Sequence, residues 1–263
     1  MELRVDGKPA YAYTGGKAFD ATLPTLVFIH GAAHDHSAWA LQSRYLAHHG
    51  FAVLALDLPG HGRTGGAPIH SIEAIADWVL GAMASIGVAN ATLIGHSMGS
   101  LVALEAAARA PARIAKLVLV ATTFPMTVSP ELLAATRDEE PRARDLINIW
   151  CHSALAHYPS NPGPGSWVIA GNKRLLERAP VGTLHADFAA CNAYTGGTEA
   201  AKRVTVPTLA ILAKRDMMTP VRGGRELAKG ITNSRVVEIE GSGHALMAEK
   251  PDEVLDAMRA FLG

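Results

Sequence analysis

The chain has 263 residues, enough for one large α/β domain with room for an inserted subdomain. Hydrophobic residues make up 49% and charged residues 18%, a balance that supplies a substantial core and excludes a disordered chain. Lys+Arg and Asp+Glu both number 24, and no basic patch stands out, so nothing points to nucleic acid or to an anionic membrane surface.

From Met1 to Gly7 there is no apolar stretch of signal-peptide length, and no run reaches the roughly 18 apolar residues of a spanning helix. A soluble cytoplasmic protein is the expectation. Leu3–Val5 and Ala10–Tyr13 are expected to pair as an antiparallel hairpin at one sheet edge. Thr25–His30 reads as a buried strand ending at Gly31, followed by a helix over Ala38–His49 and a strand over Ala52–Leu56. After Ser71, a candidate N-cap, Ile72, Ile75, Val79, Ala82 and Ile86 fall on one helical face. Strand Ala91–Gly95, helix Met98–Arg109 and strand Lys116–Val120 continue the alternation, which implies a mostly parallel sheet with helices on both faces.

The rhythm changes near Phe124. Helices are expected over Glu131–Arg137, Arg142–Ala156, Trp167–Arg178 and Leu184–Tyr194, divided by a turn-rich break at Pro159–Gly165. Alternation resumes with strand Thr208–Ala213, helix Arg222–Lys229, strand Arg235–Ile239 and a final helix from Pro251, a favoured first-turn proline. The expectation is an α/β core of residues 1–123 and 204–263, built on eight strands, with residues 124–203 inserted as a helical cap. Cys151 and Cys191, the two cysteines, match no zinc or redox spacing and read as buried free thiols.

Strand Ala91–Ile94 runs into Gly95-His-Ser-Met-Gly99 and a helix begins at once. This is a G-x-S-x-G turn in the strand-to-helix setting that lifts a serine hydroxyl above a sheet. Side chains at 95 and 99 would collide with the neighbouring strand and helix, so both positions need glycine. Ser97 is the candidate nucleophile, and a hydroxyl needs a base to take its proton. Of twelve histidines, His244 lies in Gly241-Ser-Gly-His-Ala245, between the last strand and the last helix, at the carboxyl edge where open α/β sheets carry their sites. An acid must orient it. Asp216 directly follows strand Thr208–Ala213, whereas Ala121–Phe124, after the earlier strand, holds no acid. A bland reading stands beside each: a turn serine, a surface histidine, and an aspartate capping the helix near Pro220.

These residues carry a resemblance to the α/β-hydrolase superfamily over nearly the whole chain. His30-Gly-Ala-Ala-His-Asp-His-Ser-Ala-Trp39, Asp57-Leu-Pro-Gly-His-Gly-Arg63 and Gly243-His244 with Glu249-Lys-Pro251 are similar to its other motifs. The resemblance implies an oxyanion hole formed by the backbone N–H groups of Ala32 and Met98, each donor typically worth about 3 kcal/mol of barrier. It also implies serine hydrolysis of a carboxylic ester or lactone of a small, largely apolar substrate, with no cofactor. Ser97 at the elbow excludes the aspartate-dependent epoxide hydrolases and haloalkane dehalogenases. Carbon–carbon bond hydrolases, cofactor-free haloperoxidases or perhydrolases, acyltransferases and a hydrolase-like ligand receptor remain alternatives. Two departures are Ala213, where the family usually has glycine three residues before the acid, and Ala32, where an aromatic often follows the His-Gly pair.

A substrate pocket is expected from His34, Met126, Trp150, Trp167, Phe188 and Met217, with Tyr194 a further candidate. His34, Asp35 and His36 form a polar cluster read as solvated loop residues or a polar recognition group. A metal is not expected there, because no third ligand beyond the H-x-H pair is evident. His96 is expected to support the site from behind and His61 to be a loop residue without catalytic work. The partner is expected to be a small molecule, with no nucleic acid and no membrane, and the sequence leaves the oligomeric state open.

Overall fold

In a computed structural model, which describes residues 1–157 and 167–263, each short apolar run is a strand. The break expected at Pro159–Gly165 lies outside the described residues. Strands β1 (Glu2–Val5), β2 (Lys8–Tyr13), β3 (Thr25–Ile29), β4 (Ala52–Asp57), β5 (Ala91–His96), β6 (Ile114–Val120), β7 (Thr208–Ala213) and β8 (Ser234–Ile239) form an eight-stranded sheet. Its order is β1-β2-β4-β3-β5-β6-β7-β8. The β1–β2 hairpin pairs antiparallel, with Leu3 opposite Ala10, and β2 is antiparallel to β4; the remaining pairings are parallel.

Every residue of β3, β4, β5 and β7 is buried, which explains why these strands read as continuous apolar runs. Successive side chains serve opposite layers. Val27, Ile29 and Leu93 pack with helices α2 (Ile72–Ser85) and α3 (Met98–Arg109) on one face. Leu26, Phe28 and Ile94 pack on the other face with Leu46 of the helix that precedes β4 and with Val254 and Met258 of the C-terminal helix. The first of these is α1 (Ala40–Ala47). The Ser71 hydroxyl caps α2 by accepting the Ala74 N–H at 3.2 Å.

Between β6 and β7 the chain forms α4 (Pro130–Asp138), α5 (Glu140–Trp150), α6 (Val168–Arg178), α7 (Thr183–Ala193) and α8 (Gly197–Arg203). After β7 come α9 (Val221–Lys229), a short α10 (Leu246–Glu249) and α11 (Pro251–Leu262). Two boundaries and one whole helix differ from expectation for reasons visible in the structure. The helix expected from Ala38 opens as a 3-10 turn, His36–Trp39, capped by Asp35, before α1 begins at Ala40. The helix expected to reach Ala156 ends at Trp150. There the Cys151 carbonyl accepts the Ala245 N–H at 2.9 Å from the loop after β8, drawing the chain out of helical register. Helix α8 has no counterpart among the expected helices, and it opens on Gly197, a poor helix former. Gly197 instead serves close packing, since a Cβ there would lie 2.3 Å from the Phe124 ring. Among the described residues no helix is long and apolar enough to cross a membrane.

Candidate active site

The parallel strands bring the ends of β3, β5 and β7 and the loop after β8 to one edge of the sheet. At the centre, Ser97 holds φ 52° and ψ −120°, a conformation costing a non-glycine residue about 1–3 kcal/mol. The surrounding structure enforces it. A Cβ on Gly95 would lie 2.0 Å from the Gly99 carbonyl oxygen, and one on Gly99 would lie 2.4 Å from that of Ile29. Both glycines thus let α3 start in contact with β5 and β3. The Ser97 N–H donates to Val120 at 3.0 Å, and its carbonyl accepts the Ser100 hydroxyl at 2.6 Å.

Asp216, after β7, and His244, after β8, meet at this edge. His244 Nδ1–H donates to Asp216 Oδ2 at 2.8 Å, with both residues buried. Asp216 Oδ1 accepts the N–H groups of Met218 and Thr219, each at 2.8 Å, and Oδ2 also accepts the Thr219 hydroxyl at 2.6 Å. Burial alone would raise this carboxyl's pKa; His244 and the Thr219 donors outweigh it and hold the group below its ordinary range. Thr219 is a residue the sequence reading missed, although a Thr three positions after an Asp is a recognisable local acceptor–donor pattern. The His244 loop is tied down by Glu249, which accepts the N–H groups of Gly243 at 2.8 Å and Ser153 at 3.0 Å.

Among the described residues no hydrogen bond joins the Ser97 hydroxyl to His244. The two line one cavity of about 370 Å³, and such contacts are often loose before a ligand binds. His96 packs its ring on His244 with centroids 4.8 Å apart, and its Nε2–H donates to the His244 carbonyl at 3.0 Å. Burial, and then the neighbouring His244, hold the His96 pKa well below the ordinary histidine value, so it supports the site as a neutral ring. Behind the elbow, a Cβ on Gly31 would lie 2.8 Å from His96 Nδ1 and 3.3 Å from Ser97 Cβ, so only glycine lets the β3 loop approach this closely. The N–H groups of Ala32 and Met98 have no protein acceptor among the described residues.

His34, Met126, Trp150, Phe188 and Met217 line the cavity, together with Leu132 and Ile147, which the sequence reading did not name. Trp167 does not: it is 67% exposed at the start of α6. Tyr194 also turns away, packing on Phe124 and donating its hydroxyl to Glu105 at 2.7 Å. Cys151 and Cys191 are buried free thiols at the cavity wall, and burial pushes both far up from the ordinary thiol range.

Of the polar cluster after β3, Asp35 is buried while His34 and His36 are partly exposed. Asp35 is 2% exposed, accepting the Ser37 N–H at 2.8 Å and pairing with Arg178 at 3.1 Å. His36 Nδ1 pairs with buried Asp57 at 2.8 Å, and Asp57 also accepts the Arg63 N–H. Asp35, His36 and Asp57 bring ligand-type atoms within 4.8 Å of one another, but each side chain is already committed to these ties. Of the cluster, only His34 faces the cavity.

His61 is likewise more than a loop residue. It is 2% exposed, with Nε2–H donating to Asp187 Oδ2 of α7 at 2.9 Å and Nδ1–H to the Pro59 carbonyl at 3.0 Å. Burial opposes its charge, but Asp187, the Pro59 carbonyl and Asp57 outweigh burial and raise its pKa. His30, 4.8 Å away ring to ring, is pushed down to about 4 by burial and by His61. A raised folded-state value means the His61–Asp187 pair contributes its full stability below pH about 6.5 and loses it as pH rises through the folded value. The stability gap between wild type and His61→Gln, measured by urea unfolding, is therefore expected to narrow from mildly acidic to alkaline pH. A gap independent of pH would remove the charged pair from the account.

A serine at a strained strand-to-helix turn beside a buried Asp–His pair, on a mostly parallel sheet, defines the class. Residues 24–251 match the family described as alpha/beta hydrolase fold, and the chain belongs to it. It is 31% identical over 245 residues to the pimeloyl-(acyl-carrier protein) methyl ester esterase of Neisseria meningitidis, covering 87% of this chain and 90% of that protein. It is 26% identical over 255 residues to a bifunctional esterase/perhydrolase of Acinetobacter calcoaceticus, covering 91% of each. The crystal structure of the enol-lactonase from Burkholderia xenovorans superposes with a TM-score of 0.86 at 27% identity, over 100% of this chain and 99% of that one.

Proposed function

We propose that this protein is a serine hydrolase that cleaves a carboxylic ester or lactone of a small, largely apolar substrate through an acyl-enzyme. Ser97 attacks the carbonyl carbon while His244 takes its proton, and Asp216 fixes the imidazole tautomer and stabilises the imidazolium. The N–H groups of Ala32 and Met98 hold the negative oxygen of the tetrahedral intermediate. His244 then delivers the proton to the leaving alkoxide. Water repeats the sequence on the acyl-enzyme, releasing the acid and restoring Ser97. Residues 124–203 act as a cap over this chemistry, and a cytoplasmic location fits the chain.

The observation that carries this reading is the strained Ser97 opening onto a cavity that it shares with His244, itself bonded to Asp216 at 2.8 Å. Met126, Leu132, Ile147 and Phe188 make that cavity predominantly apolar, and about 370 Å³ lies at the small end of ligand sites. The names of the relatives, esterases and a lactonase, support the same chemistry. In a series of p-nitrophenyl esters from acetate to decanoate, kcat/KM is expected to peak between acetate and hexanoate and to fall beyond. No turnover of any ester or lactone in the screen would sink the proposal, as would a single stoichiometric burst without steady turnover.

A further inference from the structure

We propose that the β6–β7 insertion clamps the loop bearing the Ala32 N–H, making Asp187 and Asn172 positioning residues for the oxyanion hole. The inference rests on the serine-hydrolase reading and adds to it a role for residues that touch neither the nucleophile nor its base.

The Ala32–Ala33 peptide is held on both sides. Its N–H, that of Ala33, donates to Asp187 Oδ2 of α7 at 2.8 Å, across 154 positions of sequence. Its carbonyl, that of Ala32, accepts His34 Nδ1–H at 2.7 Å. His34 Nε2 meets Asn172 Oδ1 of α6 at 2.9 Å. Asn172 Nδ2 donates to Asn148 Oδ1 of α5 at 2.8 Å, and Asn148 Nδ2 donates to the Ile169 carbonyl at 3.2 Å. The Ile169 carbonyl can only accept, and this fixes the sense of both amides and turns Asn172 Oδ1 toward the His34 ring. One residue earlier, the Gly31 carbonyl accepts His30 Nδ1–H at 2.8 Å. The Ala32 N–H is the group left without a protein acceptor between these anchors.

The loop needs holding. Ala33 has φ 53°, a left-handed conformation that alanine keeps only when its surroundings impose it. Ala33 is 1% exposed and packs in the same apolar cluster as Ile147, Leu176, Leu184 and Phe188 of the insertion. Asp187 is 1% exposed, and its Oδ2 also receives His61 Nε2–H, which fixes the carboxylate that fixes Ala33. An oxyanion donor is effective only when aimed in advance at the developing charge. Here the aim is set by side chains of α6 and α7, so the hole is complete only while those helices are docked.

The test compares Asp187→Ala, Asn172→Ala and Asp187→Asn with wild type, using a short p-nitrophenyl ester and an alkyl boronic acid that forms a tetrahedral adduct on the nucleophile. The two alanine variants are expected to lower kcat by roughly 10- to 100-fold, as small misplacements do. KM should change little, and boronate affinity should weaken by the same factor as kcat. Asp187→Asn keeps an acceptor oxygen against the Ala33 N–H and is expected to retain most of the wild-type kcat. Wild-type kcat in both alanine variants, or a loss confined to KM with boronate affinity intact, would overturn the clamp. If Asp187→Ala does not fold, Asn172→Ala carries the same comparison from the carbonyl side. Labelling of wild type by a fluorophosphonate keeps the two readings apart. Its absence sinks the serine mechanism, whereas labelling with unaffected variants sinks the clamp alone.

Discussion

Replacing Ser97 with alanine is expected to lower kcat by roughly 10⁶ while leaving the fold intact. The size of the loss follows from the absence of a substitute. The two cysteines at the cavity wall are held as neutral thiols by burial, so neither supplies a thiolate nucleophile. What survives is catalysis by oriented N–H donors on attacking water. The substitution is also structurally mild. The Ser97 hydroxyl makes no hydrogen bond to the protein among the described residues, and alanine keeps the Cβ at the same φ of 52°. Melting temperature and KM should therefore stay close to wild type. Ester hydrolysis measured alongside thermal unfolding checks both halves, and activity within a hundredfold of wild type would rule out Ser97 as the nucleophile.

The strands were legible because each face of the sheet is covered. Where burial is complete, as in β3, β5 and β7, the apolar run and the strand coincide to within a residue or two. The elbow was legible for a different reason: the steric demand at Gly95 and Gly99 is local, set by backbone carbonyls within the same strand–turn–helix unit or the adjacent strand. His244 and Asp216 could be found because strand order puts both at the same edge.

Residues whose meaning depends on distant partners were not legible. His61 and Asp187 are separated by 126 positions, and neither carries a local pattern that announces a buried pair. Asp35, read as a solvated loop acid, is buried because Arg178 and the Ser37 N–H meet it. Trp167 and Tyr194 show the limit of composition within the insertion. Aromatic residues there serve the cavity, the packing or the surface according to a helix rotation that sequence period alone does not fix.

Asp216→Asn is expected to cost kcat about 10⁴, although it changes neither shape nor volume. The hydrogen-bond inventory around the carboxylate explains why. Oδ1 accepts two backbone N–H groups, from Met218 and Thr219, so the amide oxygen of the variant must occupy that place. The amide NH₂ is then forced onto the Oδ2 position, facing His244 Nδ1 across 2.8 Å. Two donors cannot face each other, so His244 moves its proton to Nε2, the nitrogen that must accept from Ser97. The Thr219 hydroxyl does not relieve this, since it can turn to the Ala121 carbonyl, 3.0 Å away, and leave the wrong tautomer in place. The isosteric variant should accordingly be no more active than Asp216→Ala, which lacks the carboxylate but imposes no tautomer. Kinetics of the two variants, with the His244 tautomer read from its ring nitrogen chemical shifts, test the argument. Asp216→Asn within tenfold of wild type, or His244 protonated on Nδ1 in that variant, would contradict it.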